Sequence, residues 1–124
     1  MKSESIIITK SKAFAIRIIK LYQFLNDEKK EFVMSKQILK SGTSIGANAK
    51  EAARAQSKMD FIHKNSIALK EASETEYWLE LLCETDYITS QVYDSLNKDN
   101  IELIRMLTAC IKTTKENLEE NVKS

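Results

Sequence analysis

Five residues near the middle of the chain, Gly42-Thr43-Ser44-Ile45-Gly46, spell G-x-S-x-G, the pattern around the nucleophilic serine of an α/β hydrolase. That chemistry needs a strand entering a strained turn, a general base and donors aimed at an oxyanion. No alternating strand pattern leads into Ser44, and no acidic residue is marked out to orient His63, the one histidine. The same residues read as a packing surface. Gly42, Gly46 and Ala49 let another helix approach closely, while Ser41, Ser44 and Asn48 can hydrogen-bond across the contact. Ser44 is therefore assigned a structural role and no catalytic residue is named.

The other chemistry-bearing residues form no recognisable set. A phosphate loop is excluded because Gly46 is followed by Ala47 and Asn48 rather than by Lys and Ser or Thr. A di-metal bundle needs two Glu-x-x-His pairs on facing helices, and Asp60 with His63 imitates only one. Cys83 and Cys110 lie among apolar helical neighbours and read as reduced, buried thiols. Neither a metal nor an organic cofactor is expected, and the chain is read as a non-enzyme.

The elements that carry these residues are helical. With no proline, two glycines and 43% hydrophobic residues, the 124-residue chain has little turn chemistry for a β fold and reads as one all-α domain, 1–124. Apolar residues at three-and-four spacing predict a first helix from about Ser5 to Asn26, through Phe14, Ile18, Leu21 and Leu25. A second helix begins near Met34 or Ser35, and its seam of Ile38, Gly42, Ile45, Ala49 and Ala52 is made of small residues. A third follows a break at Gln56 or Ser57 and ends near Thr85. A fourth starts around Thr89 or Ser90, with Val92, Leu96, Leu103, Leu107, Ile111, Thr114 and Leu118 on its stripe and a kink expected across Asn97 to Asn100. Short connections predict an antiparallel up-down-up-down four-helix bundle. No apolar stretch approaches a signal peptide's core or a membrane span, so a cytoplasmic protein is expected.

Two helices have more than one apolar face. Taking about 100° per residue from Phe14, Ile16 and Ile19 fall at about 200° and about 140°, away from Leu21 and Leu25. At the same step from Phe61, Tyr77 and Leu81 fall at about 160° and about 200°, with Ile67 and Trp78 at about 240° and about 260°. These second stripes call for another burial partner, and self-association is the economical one.

Charge is divided as well. Residues 1–70 carry +8 and residues 71–124 carry −7, giving the net +1. Such asymmetry marks either a polyanion-binding surface or two halves that attract one another. The candidate phosphate contacts are Lys10, Lys12, Arg17, Lys20, Lys36, Lys40, Lys50, Arg54 and Lys58. The opposing row is Glu71, Glu74, Glu76, Glu80 and Glu84, for which Lys36, Lys40, Lys50 and Arg54 are candidate partners within the chain or across a subunit boundary.

The block KSGTSIGANAKEAARAQSKMDFIHKNSIALKEASETEYWLELL, Lys40 to Leu82, resembles the signature of a bacterial four-helix-bundle family that includes proteins encoded in intervening sequences of 23S ribosomal RNA genes. The likeness extends over the first helix and over LIRMLTACIKTTK of the fourth. Shared positions are Ser41, Gly42, Thr43, Ser44, Ile45, Gly46 and Asn48, and on the third helix Glu71, Glu74, Tyr77, Trp78 and Leu79. The resemblance implies an antiparallel bundle assembling into a homopentameric ring. It also extends to the accessory protein of diversity-generating retroelements, a strongly basic ring that works with a reverse transcriptase and nucleic acid. This nearly neutral chain departs from that protein's charge, so a different interaction surface is expected. The expectation is a homo-oligomeric scaffold or RNA-associated accessory factor, the alternative being a protein-interaction module that binds no nucleic acid.

Overall fold

Four α-helices account for most of the residues that the computed structural model describes, which are 2–123: α1 (Lys2–Asp27), α2 (Met34–Ala52), α3 (Lys58–Glu84) and α4 (Ser90–Lys123). Each helix packs against its neighbours in sequence, and α4 closes on α1, while the diagonal pairs make no close backbone approach. Antiparallel cross-links fix the register: Lys10 meets Glu102 and Arg17 meets Asp99 between α1 and α4, and Ser41 meets Thr75 between α2 and α3. The core is one cluster fed by all four helices, with Phe14, Ile18, Leu25, Ile45, Leu79 and Leu107 among its fully covered members.

Local chemistry sets the helix ends. Ser57 caps α3 by accepting the Asp60 N–H at 3.1 Å, and Thr89 caps α4 by accepting the Val92 N–H at 3.2 Å. The α3 C-terminus closes through Asp86, at φ 65°, with Tyr87 N–H donating back to the Leu82 carbonyl and Asp86 N–H to Cys83. At α2 the position before the helix is Val33, which has no capping side chain. Glu31 supplies the cap from upstream: its carboxylate accepts the N–H groups of Val33, Met34 and Ser35 at 3.2, 3.1 and 2.7 Å. It is buried, and its negative charge lies at the positive end of the helix dipole.

The α1–α2 seam is closed by small residues. A Cβ added at Gly42 would stand 2.8 Å from both Cγ atoms of Ile18, and one at Gly46 would stand 3.1 Å from the Ser11 hydroxyl. Ser11 and Ile18 are fully buried there. Of the predicted cross-helix polar contacts, Ser41 accepts a hydrogen bond from Thr75 of α3 at 2.9 Å. Ser44 and Asn48 differ from the expectation. Ser44 donates to the Lys40 carbonyl and Asn48 to the Ser44 carbonyl, both within α2, because each lies to the side of the seam rather than in it.

Helix α4 corrects two further expectations. It runs unbroken through Asn97–Asn100, since none of those residues removes a backbone donor and each finds its own setting. Asp99 pairs with Arg17 at 2.7 Å, Asn97 reaches the Tyr93 hydroxyl at 3.4 Å, and the fully buried Asn100 donates to the Ala72 carbonyl at 2.8 Å. Val92, expected on the core stripe, is 40% exposed, because the first turn of α4 flanks an open groove rather than the core.

Candidate interaction surfaces

The G-x-S-x-G residues lie inside helix α2, with the Ser44 hydroxyl held on the Lys40 carbonyl at 2.6 Å. A helical serine committed to its own backbone lacks the strained exposure of a nucleophile elbow. Among the described residues no group of three or more His, Cys, Asp or Glu side chains could hold a metal ion. Burial pushes the Cys110 thiol above its ordinary value, and the nearby Glu4 adds to the effect. Among the described residues no helix is long and apolar enough to cross a membrane.

The nine cations singled out in the sequence do not form one patch. Lys10 and Arg17 face α4, where Lys10 pairs with Glu102 at 2.8 Å and Arg17 donates to Asp99 and to the Ser95 hydroxyl and carbonyl. The hydrogen bond to Glu102 holds the Lys10 ammonium above the usual lysine range. Both are engaged by acidic residues of α4, which the antiparallel register brings opposite them. Lys12 and Lys20 remain exposed on α1. On α2, Lys36, Lys40 and Lys50 fall within about 40° of one line along the exposed side, and Arg54 follows in the turn beyond, with Lys58 opening α3. Lys40 is close enough to Glu71 on α3 to favour its charged form, while burial and Glu74 push the Glu71 carboxyl upward more strongly.

The acidic side lies across the bundle. Burial and then Glu80 and Glu76 push the Tyr93 phenol upward, which places those α3 carboxylates beside the α4 tyrosine, with Asp94 adjoining. A basic row thus marks α2, and carboxylates gather near Tyr93 on the α3–α4 side, while α4 also carries the exposed Lys98, Arg105, Lys112 and Lys115.

The second apolar stripes separate into two classes. Ile16, Ile19 and Tyr77 are 46, 40 and 53% exposed. Ile67, Trp78 and Leu81 are half-buried, and Trp78 packs partly against the core with its ring edge-to-face on Tyr77 at 5.3 Å. Offset of the helices covers these three in part, so the exposed stripe is narrower than periodicity implies.

One surface escaped sequence reasoning. A groove of about 760 Å³ opens between the C-terminal half of α1 and the first turns of α4. Leu21, Phe24, Ile88, Val92 and Leu96 floor it, and Lys20 and Lys29 stand at its rim with Asp86. Lys29 lies over the Phe24 ring, 5.9 Å from the centroid. Periodicity could not find it, since its walls come from three separated segments; the signal was Lys29, beside a Phe24 that the first helix's stripe leaves out.

A family model described as the 23S rRNA-intervening sequence protein matches residues 3–109. A crystal structure from Bacteroides thetaiotaomicron VPI-5482, of a protein with unknown function from the S23 ribosomal protein family, is similar at 59% sequence identity and a TM-score of 0.88. The match covers 89% of this chain and 98% of that one. No curated protein sequence matches the chain.

Proposed function

Because this chain belongs to the 23S rRNA-intervening sequence protein family, we propose that it is a non-enzymatic, self-associating scaffold of the cytoplasm whose basic side meets RNA. The observation that carries the reading is that basic and apolar surfaces lie on different helices. The basic row lies on α2, while exposed apolar residues lie on α1 and α3, an arrangement that favours head-to-tail packing through the latter two faces and leaves the α2 row free for RNA. The exposed Ile16, Ile19 and Tyr77 give that contact an apolar centre. Head-to-tail contacts that close generate a ring, and the family resemblance argues for five protomers. Repetition of Lys36, Lys50 and Arg54 around the assembly would strengthen contacts that are weak in one copy. Such cations address phosphates and carry no sequence readout.

The test is fluorescence anisotropy of a structured RNA at low and moderate salt, with assembled mass measured by light scattering. The expected result is binding that weakens steeply with salt and falls in a Lys36→Glu, Lys50→Glu double variant. Absence of binding at low salt overturns the RNA role and leaves a protein-interaction scaffold, a reading favoured by the carboxylates near Tyr93 and the exposed Tyr77 ring.

A further inference from the structure

The α1–α4 groove combines an apolar lining with polar groups that are mostly committed elsewhere. Leu21, Ile88 and Leu96 at its floor are buried members of the core, and Phe24 and Val92 beside them stand exposed. Arg17 is engaged by Asp99 and by the hydroxyl and carbonyl of Ser95, and the Thr89 hydroxyl accepts the Val92 N–H. Among the described residues, Lys20 and Lys29 make no ion pair, and Asp86 is the one carboxylate of the lining. With Arg17 neutralised by Asp99, two cations face one carboxylate, and the groove keeps a surplus of positive charge. The first turn of α4, which lines it, adds the positive end of a helix dipole.

These features narrow the occupant. A volume of about 760 Å³ over an apolar floor is that of a small-molecule site. A polyphosphate needs several uncommitted cations or a glycine-rich backbone cradle, and both glycines of the chain lie in α2. A nucleobase needs donors and acceptors aimed at its edges, and those of Arg17, Ser95 and Thr89 are already in use. An alkyl chain ending in a single carboxylate needs only what remains, an apolar trough with a modest positive surplus at its rim. The α1 residues that line the groove, from Arg17 to Phe24, run roughly 11 Å along the helix, room for an extended chain of medium length.

We infer that the groove binds an amphipathic monocarboxylate, its alkyl chain lying against Leu21, Phe24, Val92 and Leu96 and its carboxylate meeting Lys20 and Lys29. Lys29 already stands at the apolar wall, 5.9 Å from the centroid of the Phe24 ring, so the cation and the chain's seat are side by side. The site is separate from the α2 row proposed to meet RNA.

Titration of the full-length, isotope-labelled protein with decanoate below its micellar concentration, followed by amide chemical shifts, tests it. Saturable shifts are expected around residues 17–29 and 86–96. Affinity should rise about fourfold for each methylene from hexanoate to decanoate, as a buried chain requires. Decanol, which keeps the chain and lacks the charge, should bind about two- to fivefold more weakly than decanoate. The Lys20→Gln, Lys29→Gln pair should erase that difference while leaving decanol binding unchanged. Val92→Asp, at an exposed position, should weaken both ligands with helical circular dichroism intact. Absence of saturable shifts, shifts centred elsewhere in the bundle, or an affinity flat with chain length overturns the site. A preference for decanoate over decanol that survives the lysine pair also overturns it.

Discussion

Helix α1 is held to its two neighbours by different means. Against α2 it meets Gly42 and Gly46, which bring the backbones together over Ile18 and Ser11. Against α4, the loosest of the four packed pairs, it meets long charged side chains, with Lys10–Glu102 and Arg17–Asp99 spanning the gap and a groove opening where they end. A seam of small residues excludes water and tolerates no added volume. A seam of ion pairs leaves space between its struts. The first kind of contact builds stability; the second leaves surface for a partner.

The largest effect expected from this contrast is at Gly42. Replacement by Leu should unfold the protein or lower its denaturation midpoint sharply, and even Ala should cost about 1–3 kcal/mol from overpacking, less the gain in helix propensity of about 1 kcal/mol. Ile18 is fully buried and β-branched, so it cannot swing aside, and Ile18→Ala, which removes both Cγ atoms, should cost less in the Gly42→Ala background than in wild type in urea titrations. Gly46→Ala, one turn along, should be near neutral, because the added Cβ stands 3.1 Å from a serine hydroxyl that can give. Equal costs at the two glycines would refute the account of the seam.

Next in size is Glu31, which belongs to neither seam but anchors the helix that lines the first. Glu31→Ala should cost about 1–2 kcal/mol in thermal or chemical unfolding, since three backbone donors lose their acceptor. At the α1–α4 seam, Arg17→Met should cost at most about 1 kcal/mol, because both partners of its ion pair are partly exposed, and the difference should shrink in salt. A loss as large as that at Gly42 would mean the two seams are alike.

The smallest effect concerns pH. Glu71 has its carboxyl raised in the fold, chiefly by burial and secondarily by Glu74, so the folded state binds its proton more readily than the unfolded chain does. Its ionisation therefore opposes folding as pH rises through the carboxylate range, and the penalty is absent below it. Glu71→Gln should be slightly more stable than wild type at neutral pH, with the advantage vanishing in acid. Urea midpoints at two pH values decide it.

Much of the fold was legible. The three-and-four spacing of Phe14, Ile18, Leu21 and Leu25 and the capping residues Ser57 and Thr89 mark helices and ends because both signals are local. The expected kink at Asn97–Asn100 was not borne out for the opposite reason: Asp99 and Asn100 find partners on α1 and α3, remote in sequence. The cap on α2 was missed because the residue next to the helix is Val33, while Glu31 reaches it only through a turn in which Lys30 adopts φ 53°.

By itself, the sequence determined that the chain is helical, where its helices begin, that glycines and alanines line one of them and that its halves differ in charge. Those properties depend on neighbours within a few turns. Only the tertiary structure decided which cations are engaged in ion pairs, which apolar residues remain exposed and where a groove opens. Each of these depends on the register and separation of helices, which the packing of the whole core sets.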